Sequence, residues 1–138
     1  MKQKLNCVLL IDDDEATNFI NERVLKKSDC TDKIIVKQGA QAALDYLKSK
    51  DDGKHPKPDL IFLDINMPAI NGWEFLEAYK NLDDDQKGKI VIVMLTNSFN
   101  PDDQIRAKQI KEVNDFKNKP LTAELVEELL QTYFADRL

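Results

Sequence analysis

Asp59-Leu60-Ile61-Phe62-Leu63-Asp64-Ile65-Asn66-Met67-Pro68 is the stretch whose reading decides the fold. Its apolar residues follow one another without alternation, as in a strand buried on both faces of a parallel sheet. The run stops on Asp64, and Pro68, which cannot continue a ladder, turns the chain soon after. A carboxylate there stands at the carboxyl end of a central strand, where open α/β sheets keep their chemistry.

Two further runs share this character. Leu5 to Ile11 ends in Asp12-Asp13-Asp14-Glu15, and Lys89 to Leu95 ends in Thr96-Asn97-Ser98. A helix start accounts for Asp14 and Glu15 through its dipole. It does not account for Asp12 and Asp13, which abut the strand end and repel one another. Thr31 to Lys37 holds a short β-branched strand, Ile34-Ile35-Val36, and Val113 to Lys117 is a brief fifth strand followed by Lys119-Pro120.

Helical spacing fills the gaps between strands. The first helix is expected over Glu15 to Lys27, with Ala16, Phe19, Ile20 and Val24 inward and Asn18, Asn21, Glu22 and Arg23 facing water. Ala40, Ala43, Leu44 and Leu47 mark a second, running to about Lys50. Asn71 caps a third, with Phe75, Leu76 and Tyr79 inward; Trp73 suits either packing or a partner surface. Pro101 opens a fourth helix with Asp102 and Asp103 at its positive end, although Ile105 and Ile110 make no clean stripe. Thr122 caps the fifth, with Leu125, Val126, Leu129, Leu130 and Tyr133 inward. Asp51 to Lys57 reads as a polar loop that exposes His55, and Asp83-Asp84-Asp85 as a solvated loop. The alternation gives an α/β fold: a doubly wound, five-stranded parallel sheet, (βα)5, with helices on both faces.

Composition narrows the function. A chain of 138 residues, 42% hydrophobic and 33% charged, is one domain with a real core. A formal net charge of −5 argues against nucleic acid as a partner. No run approaches the ~18 apolar residues needed to span a bilayer. The short run Cys7 to Ile11 is no signal-peptide core. Cys7 and Cys30 lack metal-ligand spacing; Cys7 reads as a small core residue, and a cytoplasmic location fits.

Four strand ends carry polar residues: Asp12 and Asp13, Asp64, Thr96, and Lys119. In a doubly wound sheet such ends converge at the switch point. Three carboxylates brought together need a positive partner, and oxygen-only ligands with room for water point to Mg²⁺. Beside such an ion Asp64 is a placed nucleophile. Phosphoryl transfer to it needs neutralisation of the transferred oxygens, which the ion, the Lys119 ammonium and the Thr96 hydroxyl can supply.

With these residues in place, the sequence resembles the receiver domains of two-component response regulators, the class typified by the chemotaxis regulator. The likeness runs from Leu9-Leu10-Ile11-Asp12-Asp13 through Leu63-Asp64-Ile65-Asn66-Met67-Pro68 and Leu95-Thr96-Asn97 to Lys119-Pro120. The resemblance implies a flavodoxin-like strand order 2-1-3-4-5. It also implies that Asp64 becomes a 4-aspartylphosphate, taking its phosphoryl group from a phosphohistidine on a sensor histidine kinase or phosphotransfer protein. By the same resemblance Asp13, Asp64 and the main-chain carbonyl of Asn66 bind Mg²⁺, with Asp12 acting through water. Thr96 and Lys119 hold the phosphoryl oxygens. Thr96 and the aromatic Phe116 form the switch that alters the face of the fourth helix, fifth strand and fifth helix for a downstream protein. Asn66 and Ser98 flank the site where the family tunes the phosphoryl lifetime.

The chain departs from the family pattern in carrying Lys111-Glu112-Val113-Asn114-Asp115 where a Gly-Ala pair is usual before the fifth strand, and the bulkier Asn97 after the threonine. Two other readings stand beside this one. One is a receiver-like binding module that is not phosphorylated. The other is a phosphatase similar to the haloacid dehalogenases, with Asp12 as nucleophile, which leaves Asp64-Ile65-Asn66-Met67-Pro68 unexplained. The expectation is a single receiver domain over 1–138 without an output domain, a monomer or phosphorylation-dependent dimer. It catalyses only its own phosphotransfer and dephosphorylation, and it signals by protein–protein contact away from nucleic acid and membrane.

Overall fold

Five parallel strands form the centre of the computed structural model, which describes residues 1–87 and 89–138. They are β1 (Val8–Ile11), β2 (Ile34–Lys37), β3 (Leu60–Leu63), β4 (Val91–Thr96) and β5 (Asp115–Asn118), hydrogen-bonded in the order 2-1-3-4-5. Buried side chains of β1, β3 and β4 divide between the two faces, which is why these strands read as unbroken apolar runs. Leu9, Ile11, Ile61, Leu63, Ile92 and Met94 pack beneath α2 (Ala40–Lys48), α3 (Gly72–Lys80) and α5 (Pro101–Lys108). Val8, Leu10, Leu60, Phe62, Val93 and Leu95 face α1 (Glu15–Ser28) and α6 (Ala123–Tyr133). No helix among the described residues is long and apolar enough to cross a membrane.

Local chemistry fixes the helix starts. Asn71 and Glu74 form a reciprocal capping box on α3. Asn100 Oδ1 accepts from Asp102 N at 3.0 Å with Pro101 behind it, and Thr122 Oγ1 accepts from Leu125 N at 3.1 Å. Trp73 packs in the core, with the Arg106 guanidinium of α5 lying 4.5 Å over its ring. Cys7, just before β1, is buried, as expected of a small core residue.

The structure corrects several expectations. Helix α1 buries a different stripe from the one its hydropathy suggests, although Val24 packs on the core as expected. Asn18 and Asn21 are 3% and 4% exposed and lie inward with Leu25, whereas Phe19 and Ile20 are 60% and 52% exposed. The Asn18 amide donates to the main-chain oxygen of Asp12 at 2.8 Å, and this bond ties the polar face to the sheet. Asp84 and Asp85 start a one-turn helix, α4 (Asp84–Lys87), because acids suit a helix N-terminus. His55 is mostly covered: Nδ1 lies 2.7 Å from the Ser49 carbonyl, and Nε2 is 3.7 Å from Asp85.

β5 begins at Asp115, two residues later than expected. Asn114 pairs with β4 from outside the strand: its N–H donates to Ile92 O and its Oδ1 accepts from Ile92 N, both at 2.8 Å. Leu5 lies outside β1 and makes an isolated bridge to Thr31. A 3-10 turn (Ala135–Arg137) closes the described chain.

Candidate functional site

Strand register assembles the site. Ile11 pairs with Leu63, so the next residues, Asp12 and Asp64, emerge side by side, with Asp64 N donating to Ile11 O at 3.0 Å. Leu63 pairs with Met94, which sets Thr96 farther out along the same sheet edge. The Thr96 carbonyl accepts from Lys119 N at 2.9 Å, and this bond carries the lysine over the ends of β1 and β3. Residues distant in sequence thus meet because each follows or ends a strand of one parallel sheet.

One oxygen from each of Asp12, Asp13 and Asp64 lies within 4.8 Å of the others. Asp12 and Asp64 are 4% and 7% exposed, while Asp13 faces solvent. The Lys119 ammonium reaches 2.6 Å from Asp12 Oδ2 and 3.6 Å from Asp64 Oδ1. Asp12 Oδ1 also accepts from Asp14 N, and Asp64 Oδ1 from Ile65 N, each at 2.9 Å. Burial first, and then the neighbouring Asp12, push the Asp64 carboxyl up to about 6; Lys119 and the Ile65 N–H pull the other way.

Three carboxylates against one ammonium leave the cluster short of positive charge. That deficit and the all-oxygen donor set fit a hard divalent cation. Asn66 follows Asp64 by two residues on the exposed turn. Gly72 makes the tight join to α3: its N–H donates to Ile65 O at 2.7 Å, and a Cβ there would lie 2.4 Å from the Asp64 main-chain oxygen.

Thr96 is fully buried, and its Oγ1 accepts from Ser98 N at 3.2 Å. Ser98 Oγ donates to Asp103 Oδ2 of α5 at 2.5 Å, and Asn118 Nδ2 donates to Ser98 O at 2.6 Å. Phe116 stands apart from the acids. It is partly buried, pairs with Met94, and lines a recess of about 140 Å³ with Gln104, Ala107 and Lys108.

The structure therefore gathers Asp12, Asp13, Asp64 and Lys119, sets Thr96 on the same edge, and leaves Phe116 under α5. The sequence reading missed Asn18, whose amide holds the Asp12 carbonyl from α1, Asn21, which lines the same small cavity as Asp12 and Asp64, and Asn118, which pins the loop after β4. The signal for the first pair was the one-face spacing of Asn18, Asn21 and Leu25.

Residues 8–131 match the family model of the response regulator receiver domain. Response regulator Rcp1 of Synechocystis is 33% identical over 113 residues, covering 81% of this chain and 75% of that protein. A two-component response regulator from Cytophaga hutchinsonii superposes with a TM-score of 0.86 at 32% identity, covering 96% of this chain and 99% of that one. The Mn²⁺-bound form of Rcp1 superposes with a TM-score of 0.73 at 28% identity over 96% of each chain.

Proposed function

This chain belongs to the response-regulator receiver family, in which phosphorylation on aspartate is typical, and we propose that Asp64 is the residue that accepts the phosphoryl group. The observation that carries the assignment is the meeting of three carboxylates and the Lys119 ammonium at the end of β3. Asp64 is the member of the cluster on the central strand, flanked by β1 and β4.

A carboxylate oxygen of Asp64 attacks the phosphorus of a phosphohistidine. The O–P bond forms as the N–P bond breaks, the imidazole leaves and takes up a proton, and an acyl phosphate remains. The Lys119 ammonium is positioned to meet the incoming phosphoryl oxygens. Thr96 offers a hydroxyl proton not used in its bond from Ser98 N. Receiver domains bind a divalent metal at their acidic pocket, and we take Mg²⁺ as the ion here. Asp13, Asp64 and the Asn66 carbonyl would hold it, with Asp12 acting through water. When bound, the ion neutralises the acids and the transferred oxygens.

Receivers work with histidine kinases or phosphotransfer proteins. We assign the donor's docking patch to exposed Phe19 and Ile20 of α1, and the readout face to α5, β5 and α6 around Phe116. Thr96 and Phe116 are the switch residues in this reading. Family members are generally not classical enzymes, and the chemistry proposed is confined to the chain's own phosphotransfer and dephosphorylation. Free, buried Cys7 and Cys30 suit a reducing cytoplasm.

Incubation with a small phosphodonor and Mg²⁺ should add one phosphoryl group, read by intact-protein mass, and none to Asp64→Asn. Equal labelling of Asp64→Asn overturns the assignment. Sustained hydrolysis of a generic phosphate ester, blocked by Asp12→Asn but not by Asp64→Asn, would instead support the phosphatase reading.

A further inference from the structure

We infer that Asn18 and Asn21 form a binding site for one buried water beneath the acid cluster, and that this water helps hold Asp12 and Asp64 in position. The positioning half rests on the proposed role of the cluster; the water site itself does not.

Helix α1 buries two amides while leaving Phe19 and Ile20 largely in solvent. A buried polar residue is the informative departure from ordinary burial. Asn18 Nδ2 donates to the Asp12 carbonyl, which fixes the amide's orientation. Its Oδ1 is then buried without a protein partner. Buried polar atoms in folded proteins are nearly always paired, with ordered water as one of the partners.

Asn18 also lines a small cavity. Asn18, Asn21, Asp12 and Asp64 supply its polar wall, and Leu10 and Phe62 part of its apolar wall. It admits the centre of a water molecule over about 10 Å³, the size of a single-water site. One water satisfies the groups present: it can donate to Asn18 Oδ1 and to a carboxylate oxygen while accepting from the Asn21 amide. A divalent cation with its six or more ligands does not fit a one-water space. The Lys119 ammonium already brings positive charge to the carboxylates from its own side. The water therefore links α1 to the acids as a fixed, neutral strut. Outlying hydrogen-bond partners of this kind orient metal-binding side chains, and their loss weakens ion affinity about tenfold or more.

The first test is a crystal structure of the wild-type chain at a resolution that shows ordered water. One peak within hydrogen-bonding distance of Asn18 Oδ1 and of an Asp12 or Asp64 oxygen is expected. A dry cavity, or Asn18 Oδ1 bonded directly to Asn21, overturns the site. The second is a Mn²⁺ or Mg²⁺ titration, followed by the fluorescence of buried Trp73, on wild type, Asn18→Leu and Asn21→Leu. Folded variants, checked by circular dichroism, should bind the ion about tenfold more weakly. Unchanged affinity in both overturns the positioning role. If Asn18→Leu does not fold, Asn21→Leu carries this comparison alone. Failure of Asp64 to be labelled by a phosphodonor would leave the water peak in place, so the two proposals fail separately.

Discussion

Asp64 is held as a carboxylate where desolvation and Asp12 both favour its neutral form. Its folded-state value of about 6 lies above the ordinary 3.8, so the folded chain binds more protons than the unfolded chain between those values. Without divalent ions, stability from this group is greatest below about pH 4 and falls as pH rises through about 6, by roughly 3 kcal/mol in all. Urea midpoints in chelator should show it as the difference between wild type and Asp64→Asn, with the variant gaining on wild type as pH rises through that window. A difference that does not change with pH would contradict the burial argument. Gly72 offers a second residue-scale test. Gly72→Ala puts a methyl 2.4 Å from the Asp64 main-chain oxygen, so the chain must shift at a loss of about 1–3 kcal/mol. Denaturation of that variant measures it. Asp12, Asp13, Asp64, Thr96 and Lys119 were legible in the sequence because each closes a strand. Asn18 and Asn21 were not, because hydropathy ranks an asparagine as solvent-facing, whereas in the fold Asn18 bonds the Asp12 carbonyl on the face that also buries Leu25.

At the scale of elements, α1 and the loop after β4 show where periodicity was insufficient. β3 and β4 could be read because both faces are covered, which leaves one pattern open to them. β5 is half-buried and polar, and Asn114 extends its pairing by side chain, so its start could not be set by hydropathy. The loop after β4 is secured by Asn118, whose amide reaches Ser98 O, with Thr96 O at 3.5 Å. Asn118→Ala should lower stability by about 1 kcal/mol. Hydrogen exchange should quicken at Ser98 to Asn100 and stay unchanged in α3. Loosening of α3 as well would mean that the contact supports the whole fold, not this loop. On α1, Phe19→Ser with Ile20→Ser removes two exposed apolar side chains and should change stability by no more than about 0.5 kcal/mol each. Labelling by a small phosphodonor should persist, and transfer from a phosphohistidine protein should slow. Equal slowing of both would place the defect at Asp64 and not at docking.

The molecule as a whole makes the acid cluster a product of folding. Asp12 and Lys119 are 107 residues apart in sequence yet 2.6 Å apart in space, and Asp64 reaches them only through the order β1, β3, β4, β5. An unfolded chain holds no such arrangement, so a divalent ion that binds the cluster stabilises the folded state alone. At a free concentration about a hundred times its dissociation constant, the gain is roughly 2.7 kcal/mol. For a domain of this size that raises the melting temperature by about 10 °C. Mg²⁺ or Mn²⁺ should produce this rise at neutral pH, where the acids are ionised, and at matched ionic strength Na⁺ should not. Asp13→Asn should reduce the rise by removing one of the three carboxylates. Asp64→Asn should begin from a higher ion-free melting temperature and gain less, because it relieves the same repulsion that the ion relieves. A full rise in Asp64→Asn would show that the ion binds elsewhere, and the carboxylate at the end of β3 would lose its claim to the phosphoryl group.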